Sequence, residues 1–162
     1  MPTLQTERLQ IVPFTETLIE AAMSGTLEGA LGARVPAAWP GPDLAAALPF
    51  FLAQMQADPD LADWMGLILH QGEVVGDIGF KGRPDEQGMV EIGYSLIPAA
   101  RGQGFATEAV RAMTAWALQQ PLVRRVTAET ESTNQASMRV LERAGFQPTG
   151  EQENLVLWAY VG

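Results

Sequence analysis

The run MVEIGYSLIPAARGQGFATEAVRAMTAWA, Met89 to Ala117, constrains the fold most. Its start alternates with the two-residue period of a strand: Val90, Ile92, Tyr94 and Leu96 on one face, Glu91, Gly93 and Ser95 on the other. Further on, Ala106, Ala109, Val110, Met113, Trp116 and Ala117 follow helical spacing, with Thr107, Arg111 and Thr114 expected to face away. Between the two patterns stand Arg101, Gly102 and Gly104. A strand that turns through two glycines into an amphipathic helix lays the helix back on a sheet, so the chain reads as α/β. The same turn leaves N–H groups unpaired at the positive end of a helix dipole, which makes it an anion cradle. Arg101 adds a fixed charge, and Glu108 in the first turn suits the dipole.

The flanking segments extend this pattern. Arg8 to Phe14 alternates as a strand ending near Pro13, and Thr15 can cap a helix that Gly25 terminates. Glu28 to Asp43 is rich in Gly and Pro around Trp39 and reads as loop. A helix over Asp43 to Ala57 carries Pro49, which is expected to kink or split it. WMGLILH and EVVGDIGFKG flank the turn QG as a hairpin. After the long helix come the strand VRRVTAET, the helix NQASMRVLERAG and the strands FQPTG and ENLVLWAYV. The order is β-α-α-β-β-β-α-β-α-β-β, a mixed sheet of six to seven strands with about four helices. No repeat or linker divides the 162 residues, so one domain over 1–162 is expected.

Composition removes several functions. Ten Lys+Arg against 19 Asp+Glu give a net charge of −9, which repels nucleic acid and anionic membranes and favours cationic partners. Without cysteine there is no thiolate metal site and no cysteine nucleophile. His70 is the only histidine; at a hairpin end it is expected to be exposed and idle, and no metal site is expected. No apolar run is long enough for a spanning helix and no leader pattern opens the chain, so a cytoplasmic protein is expected.

The anion at the turn does not fit two common nucleotide motifs. No lysine follows the glycines as a P-loop requires, and Thr107 stands where the dinucleotide fingerprint needs its last glycine. Instead, R-x-x-G-x-A (Arg101, Gly104, Ala106) after EIGYSLIP and before NQASMRVLERAGF resembles the GNAT superfamily of N-acetyltransferases. TERLQIVPF and VEIGYSL are most similar to its ribosomal-protein N-terminal acetyltransferase branch.

That resemblance implies a GNAT-like fold with splayed strands at a cofactor cleft, acetyl-CoA as co-substrate, and direct transfer of acetyl to a primary amine. It places the pyrophosphate on Gly102, Gln103, Gly104, Phe105, Ala106 and Thr107 beside Arg101, and the pantetheine arm along the backbone of Ser95, Leu96 and Ile97. It puts Asn134 against the cofactor and Ser137 near its sulfur, as a proton donor to the leaving thiolate. The tyrosine that many relatives carry for that task on the later helix is absent; Leu141 or a neighbour occupies its place. Glu91, with small neighbours on its face, is the expected general base, with Glu129 and Glu131 as rivals. The acceptor is a small-molecule amine or a protein N-terminus; neither nucleic acid nor membrane is expected as a partner, and a homodimer is admitted. The alternative reading is a non-catalytic acyl-CoA-binding sensor or regulatory module.

Overall fold

The computed structural model describes residues 1–162. One mixed sheet of eight strands runs through it in the order β1-β2-β3-β4-β5-β6-β8-β7. The strands are β1 (Leu4–Gln5), β2 (Gln10–Pro13), β3 (Met65–His70), β4 (Glu73–Phe80), β5 (Met89–Leu96), β6 (Arg125–Glu131), β7 (Phe146–Gln152) and β8 (Leu155–Tyr160). The α-helices are α1 (Glu16–Ser24), α2 (Leu27–Leu31), α3 (Pro42–Ala57), α4 (Phe105–Leu118) and α5 (Gln135–Arg143), with 3₁₀ turns at Pro59–Trp64 and Pro98–Ala100.

Sequence order and sheet order agree until β8 inserts between β6 and β7. All neighbours are antiparallel except β5 and β6. That parallel pair covers only Met89–Glu91 against Arg125–Thr127, although β5 continues to Leu96 and β6 to Glu131. The sheet therefore opens at its centre. Helix α4 packs across β4, β5 and β6 and buries Ala109, Val110, Met113 and Ala117. On the opposite face, Leu44 and Phe51 of α3 stand over Gly79 and Gly93. No helix is long and apolar enough to cross a membrane.

Local chemistry explains most boundaries. Thr15 Oγ1 accepts from Leu18 N–H at 3.3 Å, and Gly25 closes α1 in the left-handed region at φ 76°. Asn134 caps α5 by accepting from Ser137 N–H at 3.1 Å, and Gly145 follows that helix at φ 98°.

Four expectations are corrected. The sheet has eight strands, because Leu4–Gln5 adds an edge too short to show a period. LEGAL inside the expected loop is the helix α2, closed by Gly32 at φ 71°. Pro49 does not split α3: it sits on the exposed side of the helix, as does Ala45, whose carbonyl it leaves without its helical partner. Thr107 and Thr114 are buried rather than outward-facing: α4 packs on the sheet and also against its neighbour α5, so more than one stripe is covered.

A candidate coenzyme and amine site

The glycine turn has the geometry of a cradle. Gly102 and Gly104 lie at φ 75° and 83°, a region that side chains rarely adopt. The backbone N–H groups of Gly102 to Thr107 donate to no backbone carbonyl and converge at the mouth of α4. The N-terminal segment holds this turn from outside. Arg8 donates from Nη1 to the Gln103 carbonyl at 2.7 Å and from Nε to Glu108 at 2.8 Å, and its guanidinium lies 4.7 Å from the Phe105 ring centroid. Burial pushes the Glu108 carboxyl up, but Thr6, the Arg8 N–H and the Arg8 guanidinium outweigh it and hold Glu108 below the usual carboxylate range. A polar hollow of about 640 Å³ adjoins the turn, with Arg111 and Arg143 in its wall.

His70 is half-buried rather than exposed: its Nδ1 is 3.0 Å from the Arg8 carbonyl and its ring lies 4.6 Å from that of Phe105.

The strand before the turn is only partly free. Ser95 is exposed beside the gap between β5 and β6. The Leu96 carbonyl accepts from Arg101 Nε at 3.2 Å, and the Ile97 N–H donates to the Val75 carbonyl at 2.9 Å. Ile97, just past β5, is thus buried with its N–H already taken. β5 pairs β4 without a register shift over Ile92–Leu96.

Ser137 has a partner that the sequence pattern hid. Tyr94 reaches from β5 and places its hydroxyl 2.7 Å from Ser137 Oγ. Burial raises the Tyr94 phenol and the Ser137 hydrogen bond lowers it, for a net upward shift, so the phenol stays protonated at neutral pH. Alternation reads Tyr94 as a core residue; the gap beside β5 lets its tip cross to α5. Leu141, where the resemblance expected a tyrosine, is fully buried in the core.

The other side of β4 and β5 carries a second cleft of about 210 Å³. Phe14, Leu44, Phe51, Ile78 and Phe80 line it, together with Gly66, Gly79 and Gly93. A Cβ on Gly93 would meet nothing within 4 Å, so the cleft is open there. Glu91 lies on this face with 26% of its side chain exposed, and its Oε2 contacts the Lys81 ammonium. Glu129 and Glu131 are exposed on β6.

Asp77, which the sequence reading passed over, lines the same cleft. Trp39 is buried and edge-on to Phe14, and its Nε1 donates to Asp77 Oδ2 at 3.0 Å. Burial pushes the Asp77 carboxyl from 3.8 up to about 6, against the opposing pull of the Trp39 hydrogen bond. Trp64 packs 5.0 Å from Trp116 as core, whereas Phe50 is 60% exposed on the outer face of α3 and is no part of the core or the cleft.

Comparison with known proteins agrees with this geometry. Residues 8–147 match the acetyltransferase (GNAT) domain. The chain is 32% identical over 166 residues to the "Uncharacterized N-acetyltransferase YjdG" of Bacillus subtilis (strain 168), covering 99% of both. Among solved structures it resembles the RimL ribosomal L7/L12 alpha-N-protein acetyltransferase in complex with coenzyme A, with TM-score 0.70 and 21% identity over 96% of this chain and 95% of that one. It also resembles the microcin C7 self-immunity acetyltransferase MccE in complex with acetyl-CoA and AMP, with TM-score 0.69 and 14% identity over 99% and 97% of the two chains.

Proposed function

The chain belongs to the GNAT family of acetyltransferases, and on that premise we propose that it moves acetyl from acetyl-CoA to a primary amine by direct attack in a ternary complex. The observation that carries this reading is the set of unpaired amides from Gly102 to Thr107 beside the opening between β5 and β6. Those amides receive the pyrophosphate at the dipole end of α4, with Arg101 alongside. The pantetheine arm lies in the opening against Ser95 and Leu96 and ends near Asn134 and Ser137.

The residues then divide the chemistry. The amine must lose a proton, and its nitrogen attacks the thioester carbonyl carbon. The carbon–sulfur bond breaks, and Ser137, hydrogen-bonded to Tyr94, donates a proton to the thiolate. With Tyr94 donating to Ser137 Oγ, the serine proton is free to point at the sulfur. This hydroxyl pair supplies the donor whose absence favoured a non-catalytic acyl-CoA module. Glu91 is the base expected from the resemblance; it faces the cleft, but an incoming ammonium would have to displace Lys81 from it.

The net charge of −9 favours a cationic acceptor, and the solved relative named for ribosomal protein L7/L12 admits a protein N-terminus beside small amines. Incubation with acetyl-CoA and a panel of peptides and small amines, read by mass spectrometry, tests the reading. Acetylated product and released CoA are expected. Binding of acetyl-CoA with no product from any amine would leave only the non-catalytic module.

A further inference from the structure

Building on that reading, we propose that Asp77 receives the acceptor's ammonium group and takes its proton, and that the acceptor is a primary amine on a short apolar arm. Position comes first. In the sheet register Asp77 is opposite Ser95, with Cα atoms about 5 Å apart, whereas Glu91 lies across from the Lys81 end of β4. Lys81 lies four strand rises beyond Asp77, about 13 Å along the chain. Asp77 is therefore the carboxylate nearer to where the thioester would end.

The surroundings define the substrate. Aromatic and aliphatic side chains form the walls, and Gly79 and Gly93 leave the floor without side chains between Asp77 and Lys81. Such a cleft holds an apolar arm, and the carboxylate at its end pairs with a cationic head. The Trp39 indole fixes Oδ2 and leaves Oδ1 for the ligand. Lys81 and Glu91 on this face neutralise each other, and Glu129 and Glu131 stand on the same face of β6, across the gap and exposed; Leu67 from β3, Ser95 from β5 and Leu44 and Phe51 from α3 bring no charge. Burial also raises the Asp77 carboxyl to about 6, so it is ionised yet basic at neutral pH.

The step balances. An N–H bond of the ammonium breaks and its proton passes to Asp77 Oδ1. The freed lone pair attacks the acetyl carbon, the carbon–sulfur bond breaks and the thiolate leaves with a proton from Ser137. The amide nitrogen gives up its second proton, which through water restores the Ser137 hydroxyl, and Asp77 returns its own proton to water.

Asp77→Asn tests this with phenethylamine as acceptor, because the amide oxygen still accepts from Trp39. In the wild type kcat/KM should fall as pH drops through about 6. In the variant that limb should vanish, and the neutral-pH rate should drop by about 10²–10⁴-fold. The gap should narrow as pH rises and the amine arrives already deprotonated, while coenzyme A affinity stays unchanged. Binding without turnover separates the claims: in the coenzyme A complex, the wild type should prefer phenethylamine to phenethyl alcohol, and Asp77→Asn should lose the preference. That pattern supports the inference even if no acetyl transfer occurs, in which case the enzymatic reading alone fails. Wild-type transfer rates in Asp77→Asn, or no preference for the amine in the wild type, would overturn the role of Asp77 and leave the acetyltransferase reading standing.

Discussion

The two clefts present charge by opposite means. At the glycine turn, unpaired backbone amides stand beside a polar hollow walled by exposed arginines, and the turn is braced by Arg8 and Glu108. In the other cleft a single carboxylate sits in an apolar wall and carries a shifted proton affinity. The first is built by one continuous stretch of chain. The second draws on the end of β2, the loop before α3, α3 itself and three strands. Anion binding by backbone costs the sequence only glycines at set places, whereas a tuned carboxylate needs neighbours brought from many elements.

The largest expected effect breaks the first cleft and leaves the second. Gly104→Val puts a β-branched residue at φ 83°, where its Cβ would stand 3.2 Å from Arg8 Nη2. Coenzyme A binding, read by calorimetry, should be lost while the variant remains folded. Retained affinity would place the phosphates elsewhere.

Next comes the hydroxyl pair of Tyr94 and Ser137. Ser137→Ala should lower kcat by about 10²-fold with little change in the KM for acetyl-CoA, and Tyr94→Phe by less. Because the two act as a unit, the double variant should fall well short of the product of the single losses. Pre-steady-state kinetics checks this. Independent losses would mean that the hydroxyls do not work together.

The third effect is one of stability. A carboxyl raised from 3.8 to about 6 on folding favours the native state at low pH, and that contribution is lost as pH rises through about 6. The change is about 3 kcal/mol from a shift of roughly two units. Asp77→Asn carries no such charge. Its unfolding free energy should therefore exceed that of the wild type above about pH 6, with the advantage shrinking toward pH 4. Denaturation curves at several pH values read this directly. A variant that is less stable at every pH would make Asp77 a structural partner of Trp39 and no more.

The smallest effect concerns the brace. Arg8→Ala removes a half-exposed ion pair with Glu108, worth less than about 1 kcal/mol. It also releases the Gln103 carbonyl, so a modest loss of coenzyme A affinity should accompany a nearly unchanged Tm.

The same contrast explains what could be read from the sequence. The strand, turn and helix around Gly102 and Gly104 were legible because period, glycine and cap lie within one short run. The caps Thr15, Gly25 and Asn134 were legible for the same reason, each being a bond to a residue three or four positions away. Tyr94 was not, because alternation sends it to the core and only the early end of the β5–β6 pairing shows that its hydroxyl crosses to Ser137. Asp77 lay hidden in EVVGDIGF, where one acid in a strand gives no sign that Trp39, far off in sequence, will meet it. Pro49 misled because a rule about backbone bonds does not say on which side of the helix the proline falls.

Amide NMR tests the cradle of Gly102 to Thr107 with the fewest intervening steps. On titration with coenzyme A, the resonances of Gly102 to Thr107 should shift together and their hydrogen exchange should slow, while those around Asp77 move little. Saturable binding that leaves the Gly102 to Thr107 amides unperturbed would contradict it.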